Sequence, residues 1–461
     1  MPKDLKERLY LIIPLLSAAM MTSAQIHSLP DNITIEEVAT SSTVTMPQIW
    51  TFDDCINWAI ANNNDIRRTL LNILEADENI GMAKDAWLPN VGFSMNHNFS
   101  NYAFPQNGQN NNIYGSSYGI NASWIIWEGN VRKYRTESAK IMKQQQLLAG
   151  DDLVKDLKLG ILQAYLNILY AEEAVEIARQ SLEVSTAQAE RAKKLMESGR
   201  TSKVDYAQIE SQKAQDDYNL VQAKTNLATA KMNMKKILNL DLGANIEVVT
   251  PDFPDDAVSM TLPTMEDVFE TASKWLPQLK SNELSKNLYD NDIKIAKASA
   301  LPNISLNGGI GSGYTSGGGA AWGNQMKHGL NENVGINFTV PIYDGNATRR
   351  AVAIAKLQAI DYDLNRTDLI NNLSQTIESL YIESDNARAK YESGITQLEA
   401  TTITAELVDR QFELGLVNPL DLLTAHNNLL NARLEQLQSK YMAILSNKTI
   451  NYYATQQVAL P

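Results

Sequence analysis

Only one cysteine, Cys55, and four widely separated histidines occur among the 461 residues of the chain. A single cysteine excludes a disulfide within the chain and argues against a cysteine-based metal site. Cys55 lies between apolar neighbours on a predicted helix, so we expect it to be a small buried hydrophobe. No arrangement of nucleophile, base or metal ligands is found, and the sequence therefore predicts no catalytic residue, no cofactor and no bound metal.

Positive charge is also scarce, with 40 Lys and Arg against 53 Asp and Glu and a formal net charge of -13. A surface that binds nucleic acid needs a concentrated basic face, because it must neutralise a row of phosphates. Nucleic acid is therefore not an expected partner of this chain.

Long hydrophobic runs are lacking as well. The apolar segment over residues 10–21 is too short to span a bilayer as a stable helix. It follows Lys3, Lys6 and Arg8 and precedes small residues, so residues 1–24 are expected to be a secretory signal peptide, the alternative being a buried N-terminal helix. Since no other stretch is long enough for a transmembrane helix, an exported chain of this sequence would cross a membrane as a β-barrel.

What the chain does contain is an internal duplication. Thr51–Val91 aligns without a gap on Thr264–Ile304 at an offset of 213 residues, and Tyr118 onward aligns on Val334 onward at an offset of 216. A repeat of this size predicts a duplicated half-structure rather than a small solenoid unit. The predicted organisation is an extension over 25–50, repeat 1 over 51–240, an equatorial linker over 241–263, repeat 2 over 264–453 and a tail over 454–461.

Four segments alternate between apolar and small polar residues with a period of two, as strands do. In the first of them Val91, Phe93 and Met95 alternate with Gly, Ser and Asn. Each segment has about the length of a tilted transmembrane strand, roughly 9–11 residues, and aromatic residues lie near its ends. A soluble β-sandwich alternates in the same way, but the uncharged polar face favours strands between lipid and a wet lumen. The predicted strands cover 90–102, 114–127, 304–314 and 334–343.

Four strands are too few to close a barrel, for which about eight is the practical minimum. Two chains would supply eight strands and three chains would supply twelve. The sequence therefore predicts an oligomer around an axis normal to the membrane.

Two segments, 132–196 and 348–412, are rich in helix-forming residues and carry small or apolar residues at coiled-coil spacing. At 1.5 Å per residue, each would be roughly 100 Å long. Shorter helices are expected to stack end to end beside them, namely 65–87 with 202–240 and 278–300 with 418–453. Such helices form either a solvated coiled-coil stalk or, below a polar-lined barrel, the wall of a water-filled duct.

The turns that follow the two long helices carry the same signals. A glycine suits the left-handed position after each helix, and a Ser or Asn suits the next N-cap, as in Gly199 with Ser202 and Gly415 with Asn418. Asp205 and Asp421 then fall at the third helical position, where an acid can complete a capping box or meet the helix dipole. In a closed ring they would instead form an acidic collar that attracts cations. The two interpretations are compatible, and both stay open at this point.

Together these features resemble the TolC family of outer-membrane efflux proteins, over about Trp50 to Tyr453. The resemblance rests on the duplicated frame, the Leu-Pro-Asn junctions at 88–90 and 301–303, the turns at 127–129 and 343–345, and the Gly…Asp tips. It implies a mainly α fold with a transmembrane β part, in which a homotrimer builds a 12-stranded barrel and a periplasmic tunnel of 12 helices. It also implies the outer membrane of a Gram-negative bacterium and, as partners, outer-membrane lipid, a periplasmic adaptor and an inner-membrane efflux pump or ABC transporter.

The resemblance assigns roles at the tips as well. Asp205 and Asp421 match the family's tunnel-entrance aspartates. Phe412 stands in place of a gating tyrosine, Val417 in place of a gating arginine and Thr424 in place of a second acid, so the family's Tyr/Arg closing network is not retained, whereas the acidic collar is kept in reduced form. The residues expected to contact the adaptor are Gly199, Arg200, Thr201, Ser202, Gly415, Leu416, Val417 and Asn418.

Two functional hypotheses follow. The first is an outer-membrane channel-tunnel, a passive duct with an acidic periplasmic entrance that serves a tripartite efflux or secretion system. The alternative is a periplasmic coiled-coil scaffold or adaptor without a pore, for which four lipid-facing strands would have no use. An enzyme has no supporting arrangement of residues.

Overall fold

The computed structural model describes residues 46–105, 110–241, 243–251, 253 and 257–460. The predicted signal peptide and residues 25–45 of the predicted extension lie outside these ranges. The α-helices are α1 (Phe52–Asn62), α2 (Asn64–Asp85), α3 (Val131–Glu197), α4 (Lys203–Ile237), α5 (Met265–Trp275), α6 (Pro277–Ala298), α7 (Trp322–His328), α8 (Ala347–Glu413) and α9 (Pro419–Thr455). The strands are β1 (Asn90–Asn101), β2 (Asn112–Trp127), β3 (Asn303–Thr315) and β4 (Asn331–Thr339).

The duplication seen in the sequence is present in the structure, helix by helix. The short helices α1 and α5 both have 11 residues, α2 and α6 both have 22, and α3 and α8 both have 67. Equivalent threonines, Thr51 and Thr264, cap α1 and α5 by accepting a backbone N–H from the third helical residue. Asn130 and Asn346 precede the long helices in the same left-handed conformation, with φ of 67° and 65°.

The four strands form one antiparallel sheet in the order β1-β2-β3-β4, in which β2 and β3 join the two repeats. Register places apolar residues opposite one another between neighbouring strands, as in Phe93 opposite Ile120, Ile120 opposite Ile310, and Leu306 opposite Ile336. This face is open in the single chain, where Val334 is 83% exposed and Ile336 is 72% exposed. Direct cross-strand partners share a face, so one side of the sheet is mainly apolar, although Ser116, Ser312 and Glu332 lie on it too.

Strands β1 and β3 lie within one residue of their predicted bounds, whereas β2 and β4 differ by more. β2 begins at Asn112 rather than 114, because its pairing with β1 continues to Asn101 opposite Asn112. The strand predicted over 334–343 is corrected to Asn331–Thr339. Pro341 lacks the backbone N–H that a ladder requires, which is consistent with the early end of β4. The ends of the long, stacked helices differ from the predicted ones by no more than three residues.

Each long helix has a shorter helix beside each of its halves. α3 packs against α2 near the sheet and against α4 beyond it, while α8 packs in the same way against α6 and α9. α4 ends where α2 begins, since Asn239 Nδ2 donates to Asn62 O at 3.4 Å and Trp58 Nε1 donates to Leu238 O at 3.1 Å. The predicted end-to-end arrangement is therefore what forms. None of the helices in the described ranges combines the length and the apolar character needed to cross a membrane.

The main hydrophobic core lies at mid-height, where α1 and the linker cross the middle of α3 and the end of α4. Trp50 forms a parallel bridge with Val248 of the linker, and both its backbone groups bond there, Trp50 N to Glu247 O and Val249 N to Trp50 O. A smaller core joins α5, α8 and the end of α9. These cores fix the long helices at their middle and leave the sheet and the helical tips at opposite ends.

Candidate functional site at the helical tips

The first tip is the turn between α3 and α4. Gly199 has φ of +69°, and its N–H donates to Met196 O at 3.0 Å, while Arg200 N–H donates to Leu195 O at 2.9 Å. This pair of bonds is a Schellman motif, which satisfies carbonyls left open at the end of a helix. Ser202 then caps α4, as the sequence predicts.

The second tip, between α8 and α9, repeats this geometry. Gly415 has φ of +74°, its N–H donates to Phe412 O at 3.0 Å, and Leu416 N–H donates to Gln411 O at 2.9 Å. Asn418 caps α9, and Pro419 occupies its first position, where a missing N–H costs nothing. The predicted turn chemistry is confirmed at both tips.

The carboxylates of the two tip aspartates differ in their hydrogen bonding. The carboxylate of Asp205 accepts the N–H of Ser202 at 3.2 Å and the hydroxyl of Thr201 at 3.4 Å, and its own N–H donates to Ser202 Oγ. The N–H of Asp421 donates to Asn418 Oδ1 at 2.9 Å. Within the described ranges its exposed carboxylate has neither a hydrogen bond nor an ion pair. Asp205 thus completes a capping box, whereas Asp421 offers a free negative charge.

The other residues at predicted gate positions do not converge on the aspartates. Phe412 is half-buried and packs on a small apolar cluster made by Ala189, Ala192 and Ile209. Thr424 is exposed, and its hydroxyl donates to Leu420 O of its own helix at 2.8 Å. Phe412 therefore holds the two hairpins of the chain together rather than projecting free into solvent.

A polar cluster near the tips was not anticipated from the sequence. Gln188 of α3 donates to Asp409 Oδ1 of α8 at 3.1 Å, and His426 Nε2 of α9 lies 2.9 Å from the same oxygen. One turn closer to the tip, Arg191 pairs with Glu413 at 2.5 Å. We call these five residues the hairpin contact. Gln188 Nε2 also lies 2.8 Å from His426 Nε2, so three of the four pairs join residues more than 200 positions apart in the chain, and no local pattern could reveal them.

Within the described ranges, no group of three or more His, Cys, Asp or Glu side chains is placed so that it could hold a metal ion. What the tips combine is a free carboxylate, a polar contact between hairpins and exposed apolar side chains. The last group consists of Val204, Leu414, Leu416 and Leu420.

A sheet with one apolar face above two helical hairpins, each roughly 100 Å long, defines the class of outer-membrane export channels. Residues 55–240 and 270–451 match the family described as Outer membrane efflux protein. The chain belongs to this family. It is therefore an outer-membrane protein whose helical part lies in the periplasm.

Comparison with individual proteins agrees with this family assignment. The chain is 24% identical over 407 residues to Outer membrane protein TolC of Escherichia coli (strain K12), covering 84% of this chain and 79% of the relative. It is 19% identical over 392 residues to Outer membrane efflux protein BepC of Brucella suis biovar 1 (strain 1330), covering 84% and 82%. The fold matches the crystal structure of the Campylobacter jejuni CmeC outer membrane channel with a TM-score of 0.70 and 17% identity, covering 93% and 95% of the two chains.

Proposed function

We propose that three copies of this chain form a passive, non-enzymatic channel-tunnel with an acidic periplasmic entrance. The observation that carries the proposal is the open sheet. Within the described ranges β1 pairs only with β2 and β4 only with β3, so both outer edges have unused backbone donors and acceptors. An exposed edge joined to an exposed apolar face is stable only when both are covered.

Three copies edge to edge would pair these strands and give twelve, in the range of closed membrane barrels. Lipid would cover the apolar face, and the small polar face with Gly, Ser and Asn would line a wet lumen. Below it, α3 and α8 with their stacked partners would continue the wall for roughly 100 Å into the periplasm.

The tips supply an entrance and a docking surface. The free carboxylate of Asp421 would form the main part of the acidic collar, while the carboxylate of Asp205 would contribute from a fixed position, because it accepts two hydrogen bonds in the capping box. The exposed apolar side chains at the tips, with the turns Gly199–Ser202 and Gly415–Asn418, offer a surface for a periplasmic adaptor. Through it the duct would serve an inner-membrane efflux pump or ABC transporter.

The closing device would differ from the Tyr/Arg network expected of the family. Here the hairpin contact joins the α8–α9 hairpin to α3, with Phe412 packed beside it. Opening the entrance would require the α8–α9 hairpin to move away from α3. The polar pairs of the hairpin contact are partly exposed and individually weak, so an adaptor could exchange them for its own contacts.

The test is single-channel conductance of the detergent-extracted oligomer in a planar bilayer, compared with Asp205→Ala/Asp421→Ala. We expect discrete cation-preferring openings in the wild type and a loss of that preference in the double variant. If the double variant keeps the cation preference of the openings, the result would support the duct and contradict the acidic collar. A protein that is soluble without detergent and never inserts would contradict the channel and support the periplasmic scaffold instead.

A further inference from the structure

We propose that the first turns of α3 and α8 form a docking surface for anionic phospholipid headgroups. The surface, which we call the basic band, consists of Lys133 and Lys140 on α3 and Arg349 and Lys356 on α8. The proposal rests on the proposed function, in which the sheet lies in a membrane. It adds that the protein binds one class of lipid in preference to others.

The beginnings of α3 and α8 carry a net positive charge, whereas the whole chain is negative. Residues 131–140 contain four cations and one acid, Glu137, while residues 347–356 contain three cations and no acid. The whole chain has a net charge of -13. Neither helix has an acid in its first turn, although an acid is favoured there by the helix dipole. Local helix stability therefore does not account for these cations.

The cations are present in both repeats at equivalent positions. Lys133 corresponds to Arg349 and Lys140 to Lys356, each at the offset of 216 residues. Glu137 lies 4.0 Å from Lys133 but has Ala353 as its counterpart, so the acid is not duplicated. Arg349, Lys140 and Lys356 have no ion pair within the described ranges.

These side chains are not used for packing within the chain. On α3, Arg132 donates to the carbonyl of the residue that follows α2, and Ser138 accepts a bond from α6. Lys133 and Lys140 are exposed, as are their counterparts on α8. Residues seven apart lie on one face of a helix, two turns from each other, so each helix presents a pair of exposed cations about 10 Å apart along its axis.

The position of the basic band matches the level of lipid headgroups. Trp87, Trp124 and Tyr343 are exposed where the strands meet the helices, and aromatic rings of this kind mark a membrane interface. Arg349 follows Tyr343 by six residues, so the cations begin directly beyond this aromatic level. The apolar face of the sheet ends there, and what an exposed cation meets next to an apolar membrane core is a phosphate.

An anionic phospholipid is the occupant that fits this arrangement. Lys and Arg bind phosphate oxygens by charge-assisted hydrogen bonds. Each exposed cation contributes little, but a duplicated set in every copy of an oligomer would act together. Such binding must weaken with salt, because exposed charges are screened over about 8 Å at physiological ionic strength.

The experiment reconstitutes the purified oligomer into nanodiscs of equimolar phosphatidylglycerol and phosphatidylethanolamine. Native mass spectrometry then gives the ratio of the two lipids that stay bound after release. We expect phosphatidylglycerol to be enriched at least about threefold on the wild type, and less at high salt. In Lys133→Gln/Lys140→Gln/Arg349→Gln/Lys356→Gln we expect the ratio to fall close to one.

Two variants serve as controls. Lys193→Gln/Lys194→Gln/Lys203→Gln/Lys224→Gln removes the same charge far from the sheet and should keep the enrichment. Lys133→Arg/Lys140→Arg/Arg349→Lys/Lys356→Arg retains the charge and should keep the enrichment too. If the glutamine variant does not assemble, the lipid preference of the wild type and its loss at high salt are the test. A wild type without lipid preference overturns the proposal, as does an equal loss in the remote control or displacement by free glycerol phosphate. Conductance measured on the same preparation reports separately on the channel.

Discussion

Tyr165 and Tyr381 occupy equivalent positions on the two long helices. Each side chain contacts the residue just before the N-cap threonine of the short helix in its own repeat. Tyr165 Oη lies 3.4 Å from Trp50 O and 2.6 Å from Val249 O. Tyr381 Oη lies 2.6 Å from Pro263 O. The same hydroxyl thus anchors α1 on α3 and α5 on α8. In repeat 1 it also reaches the linker, which joins the two halves at mid-height.

The first prediction concerns these two hydroxyls. Tyr165→Phe should lower the free energy of unfolding by about 1 kcal/mol, since it removes the hydrogen bond from a buried tyrosine hydroxyl to Val249 O. Tyr381→Phe should cost less, because Tyr381 is only partly buried. Thermal unfolding of the detergent-solubilised oligomer gives the comparison. Equal effects from the two substitutions would contradict the stronger anchoring that we assign to Tyr165.

Substitutions at the two tip aspartates should change different properties, stability at Asp205 and cation selectivity at Asp421. Asp205→Asn removes a carboxylate that accepts two hydrogen bonds in a capping box and should destabilise the start of α4 by about 1 kcal/mol. Asp421→Asn should leave stability nearly unchanged and reduce the cation preference of the channel. Unfolding curves and reversal potentials on both single variants check this. If Asp205→Asn lowers selectivity more than Asp421→Asn, the assignment of roles is wrong.

The hairpin contact should restrain the entrance. Arg191→Ala and Gln188→Ala each remove a bond between α3 and α8, so both should raise the open probability or conductance, and together more than singly. Arg179→Ala is the matched control, because its ion pairs with Glu176 and Glu183 lie within α3. Single-channel recording provides the measurement. An Arg179→Ala channel that opens as readily as Arg191→Ala would refute a role specific to the contact.

Alkaline pH should weaken the mid-height core. Burial, followed by the nearby Asp54 charge, raises the pKa of the Cys55 thiol from 9.0 to about 12. The folded chain thus holds this proton more tightly than the unfolded chain. The stability linked to it is fully present below about pH 9 and is lost as the pH rises towards about 12.

Cys55→Ala tests this linkage, because it removes the thiol and leaves a small apolar side chain. We expect melting temperatures measured between pH 8 and pH 11 to fall less steeply with pH in the variant. Burial also raises the pKa of Tyr165, so part of the alkaline loss should remain in Cys55→Ala. Parallel curves for the two proteins would show that Cys55 does not contribute.

The turns at the tips are well predicted by the local sequence. Gly199 and Gly415 were predicted at the left-handed position, with Ser202 as one of the next N-caps, and the structure confirms them. These features depend on bonds between residues at most five positions apart, so a local pattern carries them. The same holds for the alternation of the strands and the length of the helices.

The local pattern places Asp205 and Asp421 correctly at the third helical position. It does not predict that their carboxylates differ in hydrogen bonding. In the structure the Ser202 hydroxyl accepts the N–H of Asp205 and the Ser202 backbone N–H donates to the Asp205 carboxylate, whereas at the other tip the Asn418 side chain accepts the N–H of Asp421 without a bond in return. The packing of Phe412 between hairpins was likewise not predicted, because the resemblance alone suggested a gate position.

The sequence by itself determined the duplication, the kind and order of the elements, and the chemistry of each turn, since these follow from spacing and from short-range hydrogen bonds. Only the tertiary structure decided which side chains of repeat 1 meet those of repeat 2. Gln188 and Asp409 come together because the α8–α9 hairpin packs on α3, mainly through α9, and is fixed to it at mid-height by the main buried core. Contacts of this kind depend on how rigid helices pack, and no local pattern along the chain records it.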